Sequence, residues 1–209
     1  MKTYLNVLYL ILLITISCKS QNHELKREHF NPKAVVLNNL AVKISENIND
    51  CNKDSILKSI NLLEQAISTD SSYYLAYGNE AKMYCKLKKY NKAIDVLNGF
   101  LNTSHKYVEL LTYKGYIFEK IGNIDSATKV YMEAINEYDK KLENDSSNIS
   151  IKLNRAVLYL FTEGESKGKM EYNKIYKAFP NDQSVKGMRG LFYTFQRKSY
   201  IDGLFSDCN

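Results

Sequence analysis

Apolar and small residues recur along residues 74–140 in a pattern that is written twice. Ala81 matches Gly115, Tyr84 matches Phe118, Ala93 matches Ala127, Leu97 matches Tyr131 and Phe100 matches Ala134, every pair 34 residues apart. In each copy a small residue precedes an aromatic by three positions. A short polar break follows, then Ala and two further positions at helical spacing. Apolar recurrence at i, i+3 and i+4 marks amphipathic helix, whereas the strict alternation of a strand is hard to find. Each copy therefore predicts two helices joined by a short turn.

The pattern extends in both directions. Asn31-Pro32 predicts a helix start, an N-cap residue followed by Pro at the first helical position. Leu37, Leu40, Ala41 and Ile44 supply a first-helix stripe, and Ser59, Leu63 and Ala66 a second. Repeat one thus spans about 33–70, with a stretched turn at 49–54. Repeat two runs from Tyr73 to about Ser104. In repeat three the turn falls at Gly122-Asn123, and Tyr138 and Leu142 carry the second helix beyond the usual end. The polar run Glu143–Ser150 makes a loop. Repeat four places Ala156 and Tyr159 on its first helix and Gly168, Tyr172 and Ile175 on its second, which Pro180 ends. Gly164–Gly168 predicts a flexible turn and a late start for that second helix. Residues 183–197 predict a closing helix. Tyr200, Ile201, Leu204 and Phe205 line one face of a short further helix, which either completes the cap or folds into the groove.

These positions resemble the W-x2-L-G-x2-Y…A-x3-F…P pattern of the tetratricopeptide repeat at its own period. The resemblance implies an all-α helical solenoid over residues 32–209, with about four helix pairs and a C-terminal closing helix. Neither helix of a pair can bury its stripe alone, so neighbouring pairs share one continuous core. Small residues at 41, 81, 115 and 156 would let paired helices approach. Large ones at 63, 97, 131 and 172 would fill the space between pairs, and Tyr84, Phe118, Tyr131 and Tyr172 are expected in the core. Gly115 within a helix costs roughly 1 kcal/mol relative to Ala, which makes sense where a neighbour crosses closely.

The family binds extended peptides or partner domains on a concave face built by first helices. The resemblance places Leu75, Lys82, Cys85 and Lys86 there from repeat two, and Thr112, Tyr116, Glu119 and Lys120 from repeat three. Repeat four would add Leu153, Val157, Leu160 and Phe161, and the closing helix Leu191 and Phe195. Such a groove is cationic at one end and apolar at the other. Either a partner lays an apolar anchor at the C-terminal end and acidic residues at the lysine end, or Leu204 and Phe205 of the tail already cover the apolar end. The carboxylate clamp of chaperone-binding members is absent. Asn38, Val42 and Asn79 stand at its positions, with Glu109 where a Lys is wanted.

Residues 1–17 read as a signal peptide: Lys2 is followed by an apolar run from Leu5 to Ile16, too short for a bilayer span of roughly 20 residues. Ile14-Thr15-Ile16-Ser17-Cys18 resembles a bacterial lipobox, with Thr15 where Leu is commonest. That resemblance makes Cys18 the lipidated first residue of the mature chain and residues 18–31 a flexible tether. Lys19 in place of Asp after the cysteine points to the outer membrane. Two readings compete with this one: an uncleaved short anchor and a non-lipidated secreted protein. His23, Glu24, Glu28 and His29 in the tether lack the H-E-x-x-H spacing of a metal site.

Composition adds limits more than identity. With 44% apolar and 25% charged residues the chain has an ordinary globular balance. A net charge of +6, without a basic cluster, argues against nucleic acid as a partner. Cys51, Cys85 and Cys208 remain beside Cys18 without C-x-x-C spacing, which gives zinc or thiol catalysis little support. No nucleotide loop, nucleophile elbow or acid–base pair stands out, and no cofactor or enzymatic activity is expected. The reading that emerges is a membrane-anchored scaffold or adaptor of the bacterial cell envelope, with a protein or peptide partner. Such lipoproteins resemble components of outer-membrane β-barrel or pilus assembly machines. A glycan- or peptidoglycan-binding lipoprotein is the alternative.

Overall fold

The computed structural model describes residues 29–46, 52–103 and 107–205. Among them every regular element is an α-helix. The order is α1 (Pro32–Glu46), α2 (Lys53–Thr69), α3 (Tyr74–Lys86), α4 (Tyr90–Leu101), α5 (Val108–Lys120), α6 (Ile124–Asn144), α7 (Ile149–Thr162), α8 (Glu165–Ala178), α9 (Gln183–Tyr193) and α10 (Arg197–Leu204). Consecutive helices pack as pairs, α1 with α2 through α7 with α8, and each pair stacks on the next. The expected signal peptide, Cys18 and most of the tether lie outside the described residues, as do Cys51 and Cys208.

Local chemistry sets the boundaries. The side chains of Asn52, Asn123, Asn148 and Asp182 each accept from backbone N–H groups of the turn that follows, starting α2, α6, α7 and α9. Each such cap contributes about 1 kcal/mol. The turns inside pairs two and three are the same device one period apart. Lys88 and Gly122 both have positive φ, 57° and 78°. Beyond them Lys89 N–H donates to Tyr84 O and Asn123 N–H to Phe118 O, each at 2.9 Å. This is the left-handed helix ending that glycine suits and lysine merely tolerates.

Packing follows the size pattern expected from the repeats. Ala41, Ala81, Gly115 and Ala156 are all buried, and so are Leu63, Leu97, Tyr131 and Tyr172. Tyr131 is 0% exposed. A Cβ on Gly115 would overlap its ring, which explains a glycine in mid-helix. Tyr84 and Phe118 are only half-buried, each ring lying under a lysine, Lys92 and Lys114 respectively.

Three expectations change. Leu40 is 45% exposed. The buried face of α1 is instead Ala34, Asn38, Ala41 and Ser45, and its approach to α2 is close enough for Ser59 Oγ to donate to Ala41 O at 3.1 Å. Gly164–Gly168 is not a flexible turn: α8 starts at Glu165, directly after Gly164 with its φ of 89°. Gly168 is buried in that helix because a Cβ there would strike the Leu160 side chain. The closing helix stops at Tyr193 rather than 197. Thr194 turns back to donate its hydroxyl to Gly190 O, and the extended Gln196 begins α10.

The closing helix covers the last pair. Val185, Met188 and Phe192 are buried. Phe192 stacks on Tyr172 at 4.6 Å, and the Tyr172 hydroxyl donates to Val185 O at 2.8 Å. At the other end, α3 separates two apolar clusters. Ala76 and Met83 join the core of α1 and α2, whereas Ala81 and Cys85 join the larger core beyond. Between Ala76 and Met83 lies Glu80, only 5% exposed. Loss of hydration, reinforced by the nearby Glu64 carboxylate, pushes its carboxyl up to about 7.

Two predictions rest on this packing. Gly115→Ala and Gly168→Ala should destabilise by roughly 1–3 kcal/mol despite alanine's better helix propensity, because both fill occupied space. Gly99→Ala and Gly187→Ala, which meet nothing within 4 Å, should stabilise by about 0.4–1 kcal/mol. Urea unfolding of the four variants reads the contrast in sign. The second prediction concerns Glu80. Folding raises its pKa, so between its ordinary 4.5 and about 7 the folded chain holds a proton that the unfolded chain has lost. Stability should therefore fall as pH rises through that window and level off above it. Glu80→Gln should remove this part of the pH dependence and raise the melting temperature at pH 8 but not at pH 4. An unchanged pH profile in the variant would count against the burial argument.

Candidate functional site

First helices of successive pairs touch one another, α1 with α3 and α3 with α5, and the tail joins α5 to α7; the face they share corresponds to the one expected to be the inner face. Its two halves differ. In the N-terminal half the side chains are polar and reachable. Lys82 and Leu75 are exposed, and Asn79 and Lys86 are half-buried. Asn79 Nδ2 donates to Asn38 Oδ1 at 2.7 Å, bridging α3 to α1. Lys86 Nζ donates to Ser45 O at 3.3 Å across the same gap. Cys85, expected on this face, is buried beneath Tyr113. Loss of hydration pushes its thiol up to about 12, so it is a neutral packing group and a poor nucleophile.

The C-terminal half is occupied. Leu153, Val157, Phe161 and Phe195 are buried and Leu191 is half-buried, so these residues do not form an open apolar surface. Leu160 belongs to the α7–α8 crossing at Gly168. The cover over Phe161 and Phe195 is the chain's own tail. Tyr200 of α10 lies against Tyr116, Phe161 and Phe195, with ring centroids 5.7, 5.5 and 5.9 Å away. The Tyr116 and Tyr200 hydroxyls meet at 3.3 Å, and burial pushes the Tyr200 phenol up to about 12. Phe205 reaches further along the face, 6.1 Å from Tyr90 and 5.9 Å from Tyr113. Leu204 is half-buried beside this cluster.

Charge fixes the tail in register. Glu119 on α5 has a side chain only 4% exposed. Arg197 meets it with a two-pronged contact: Nε donates to Oε2 at 3.0 Å and a terminal nitrogen to Oε1. The third arm of the guanidinium donates to Phe161 O at 3.1 Å, and the group lies 5.3 Å over the Phe161 ring. Lys120, expected as an open cation, binds Asp202 at 3.1 Å. Asp202 is held below the usual carboxylate range by Lys198 and Lys120.

Sequence reasoning named Tyr116, Glu119, Lys120 and Phe161 but not Arg197 or Asp202. A contact spanning 78 residues has no periodic signature. The only hint was the apolar face of the tail. Among the described residues no cluster of His, Cys, Asp and Glu has metal-binding geometry, and no helix is long and apolar enough to cross a membrane.

No protein-family model matches the sequence, and no curated protein matches it. Among solved structures the chain is similar to a tetratricopeptide repeat protein from Parabacteroides merdae, at TM-score 0.53 and 19% identity, covering 86% of this chain and 67% of that one. It is similar to pilF from Pseudomonas aeruginosa at TM-score 0.52 and 14% identity, covering 85% and 77%. It is also similar to a kinesin light chain with nearly identical tetratricopeptide-like repeats from Podospora anserina, at TM-score 0.53 and 12% identity, covering 84% and 94%. Likeness at these identities speaks for fold, and the fold is an all-α solenoid of the tetratricopeptide-repeat type.

Proposed function

We propose that this protein is a lipid-anchored scaffold of the bacterial cell envelope that binds a protein or peptide partner on the inner face of its solenoid. The observation that supports this most is that inner face itself. Its N-terminal half, with Asn79, Lys82 and Lys86, is reachable from solvent, while the helices behind it pack pair on pair. Polar groups on packed helices are held in place before binding, which lowers the ordering cost of recognition. The titratable groups with large shifts do not assemble into chemistry. Glu80 lies between α2 and α3 without a nucleophile beside it, and Cys85 is a buried neutral thiol. Binding rather than catalysis is the activity this arrangement suits.

The anchor rests on the lipobox-like run ending at Cys18, and the outer-membrane location on Lys19. More than one acyl chain would give stable attachment where a single one would not. Metabolic labelling with a fatty-acid analogue should mark the wild-type chain and leave Cys18→Ala unmarked. Equal labelling would remove the anchor from the reading. A photo-cross-linking residue in place of Lys82, in cells carrying the intact chain, should trap a discrete protein. Retention of polysaccharide and no trapped protein would favour a glycan-binding lipoprotein instead.

A further inference from the structure

The tail in the groove is bound as a ligand would be. It leaves α9 through the connection Thr194–Gln196 and returns across the face built by α5 and α7. Its anchors are spaced along one side: Arg197, then Tyr200 and Ile201, then Phe205. The groove supplies a contact for Arg197, Tyr200 and Phe205, and Ile201, between them in sequence, is buried. Of these the Glu119 socket is the most demanding. A carboxylate almost out of contact with water is strongly unfavourable unless a cation with hydrogen-bonding geometry meets it. A guanidinium suits the socket because it can bind both oxygens, reach Phe161 O and lie on the Phe161 ring at once.

A second observation shows that the tail does not use everything the socket offers. The Tyr131 hydroxyl is buried, and no hydrogen bond reaches it among the described atoms. It lies within electrostatic reach of Glu119, Arg197 and Tyr200. Buried hydroxyls are ordinarily paired, and an unpaired one costs free energy. A partner chain that carried one more polar group at this point would satisfy Tyr131 as well as Glu119. It would then hold an advantage over the tail.

We propose that the Glu119 socket is a recognition site for protein segments carrying an arginine followed three and eight residues later by aromatics, and that α10 is its resident occupant, displaced when such a segment binds. The inference rests on the reading of the inner face as a binding surface and names its regulation. The partner sought is therefore basic and aromatic at this end. That differs from an acidic ligand facing open lysines, because the socket itself presents a buried carboxylate, Glu119.

The test uses the full chain and a fluorescent peptide with the sequence of residues 195–205. An Arg197→Ser/Phe205→Ser chain releases its own tail and leaves the socket intact. It should bind the peptide at least about tenfold more tightly than wild type, because the resident tail lowers the fraction of competent sites. Binding should disappear when the peptide's arginine is replaced by alanine, or when Glu119→Gln is added to the released chain. Equal affinity of wild type and released chain overturns the proposal. So does loss of the helical melting transition in the released chain, which would make α10 part of the structural core. Hydrogen exchange on the unaltered chain provides a measurement independent of any variant. Amides of residues 201–204 should exchange at least about tenfold faster than the protected amides of α5, and equal protection overturns displacement. Failure of the peptide test leaves the Lys82 cross-links untouched. Failure of the cross-links with peptide binding intact would remove the scaffold reading alone.

Discussion

An amphipathic helix pair buries its apolar stripe only when a neighbouring element covers it. That constraint organises the rest of the structure. Inside the third and fourth pairs the two helices first close on each other by size complementarity. Gly115 and Gly168 leave room that Tyr131 and Leu160 fill, so successive helices interlock through one side chain each. Fully burying a side chain of that size contributes about 1.5–3 kcal/mol, enough to outweigh a mid-helix glycine costing roughly 1 kcal/mol. At the end of the stack the same constraint must be met without another pair. α9 covers the flank of α8 through Phe192 and Tyr172, and α10 covers the inner face.

The seal over the inner face is of a different kind from the seal over the flank. α9 is held by apolar residues that are close in sequence to α8. α10 is held by aromatic contacts and by an ion pair reaching back 78 residues to α5, with Glu119 buried and Arg197 at the rim, 38% exposed. Desolvation of the buried carboxylate offsets much of the attraction, but removing the arginine leaves that carboxylate stranded. Glu119 and Arg197 therefore specify where the tail docks more than they strengthen the fold. The flank gets a permanent lid, and the inner face gets a matched occupant.

Much of the architecture was legible because a 34-residue period records the same physical problem solved repeatedly. Ala81 and Gly115, or Leu97 and Tyr131, occupy equivalent places, and the small-or-large choice at each can be read directly. Even the repeated turn at Lys88 and Gly122 follows the period. What the period could not show is anything that breaks it. GESKG looks flexible by composition, but the fit of Gly168 against Leu160 is a property of two helices meeting. α1 presents Leu40 at a core-like position, yet the residues it buries are Ala34, Asn38, Ala41 and Ser45, divided between α2 and α3. Glu80 looks like any surface carboxylate of a helix until α2 is laid beside it. The candidate groove was legible as a set of positions, not as an occupied one. Arg197 and Asp202 lie outside the repeats, and nothing in local spacing links them to Glu119 and Lys120.

The tail is also short. α10 has eight residues, well below the length at which an isolated helix holds together in water. Its helicity must therefore come from docking, so folding and docking are one equilibrium. Once Arg197 and the aromatic anchors leave their receptors, the segment loses the helix too and gains the entropy of a loose chain. That gain opposes docking, whereas the short tether to α9 keeps the segment close and favours it. The other helices pack more extensively against their neighbours, whereas α10 meets mainly α5. It is also the element that lies over Tyr116, Glu119 and Phe161, so undocking it is what would uncover the groove.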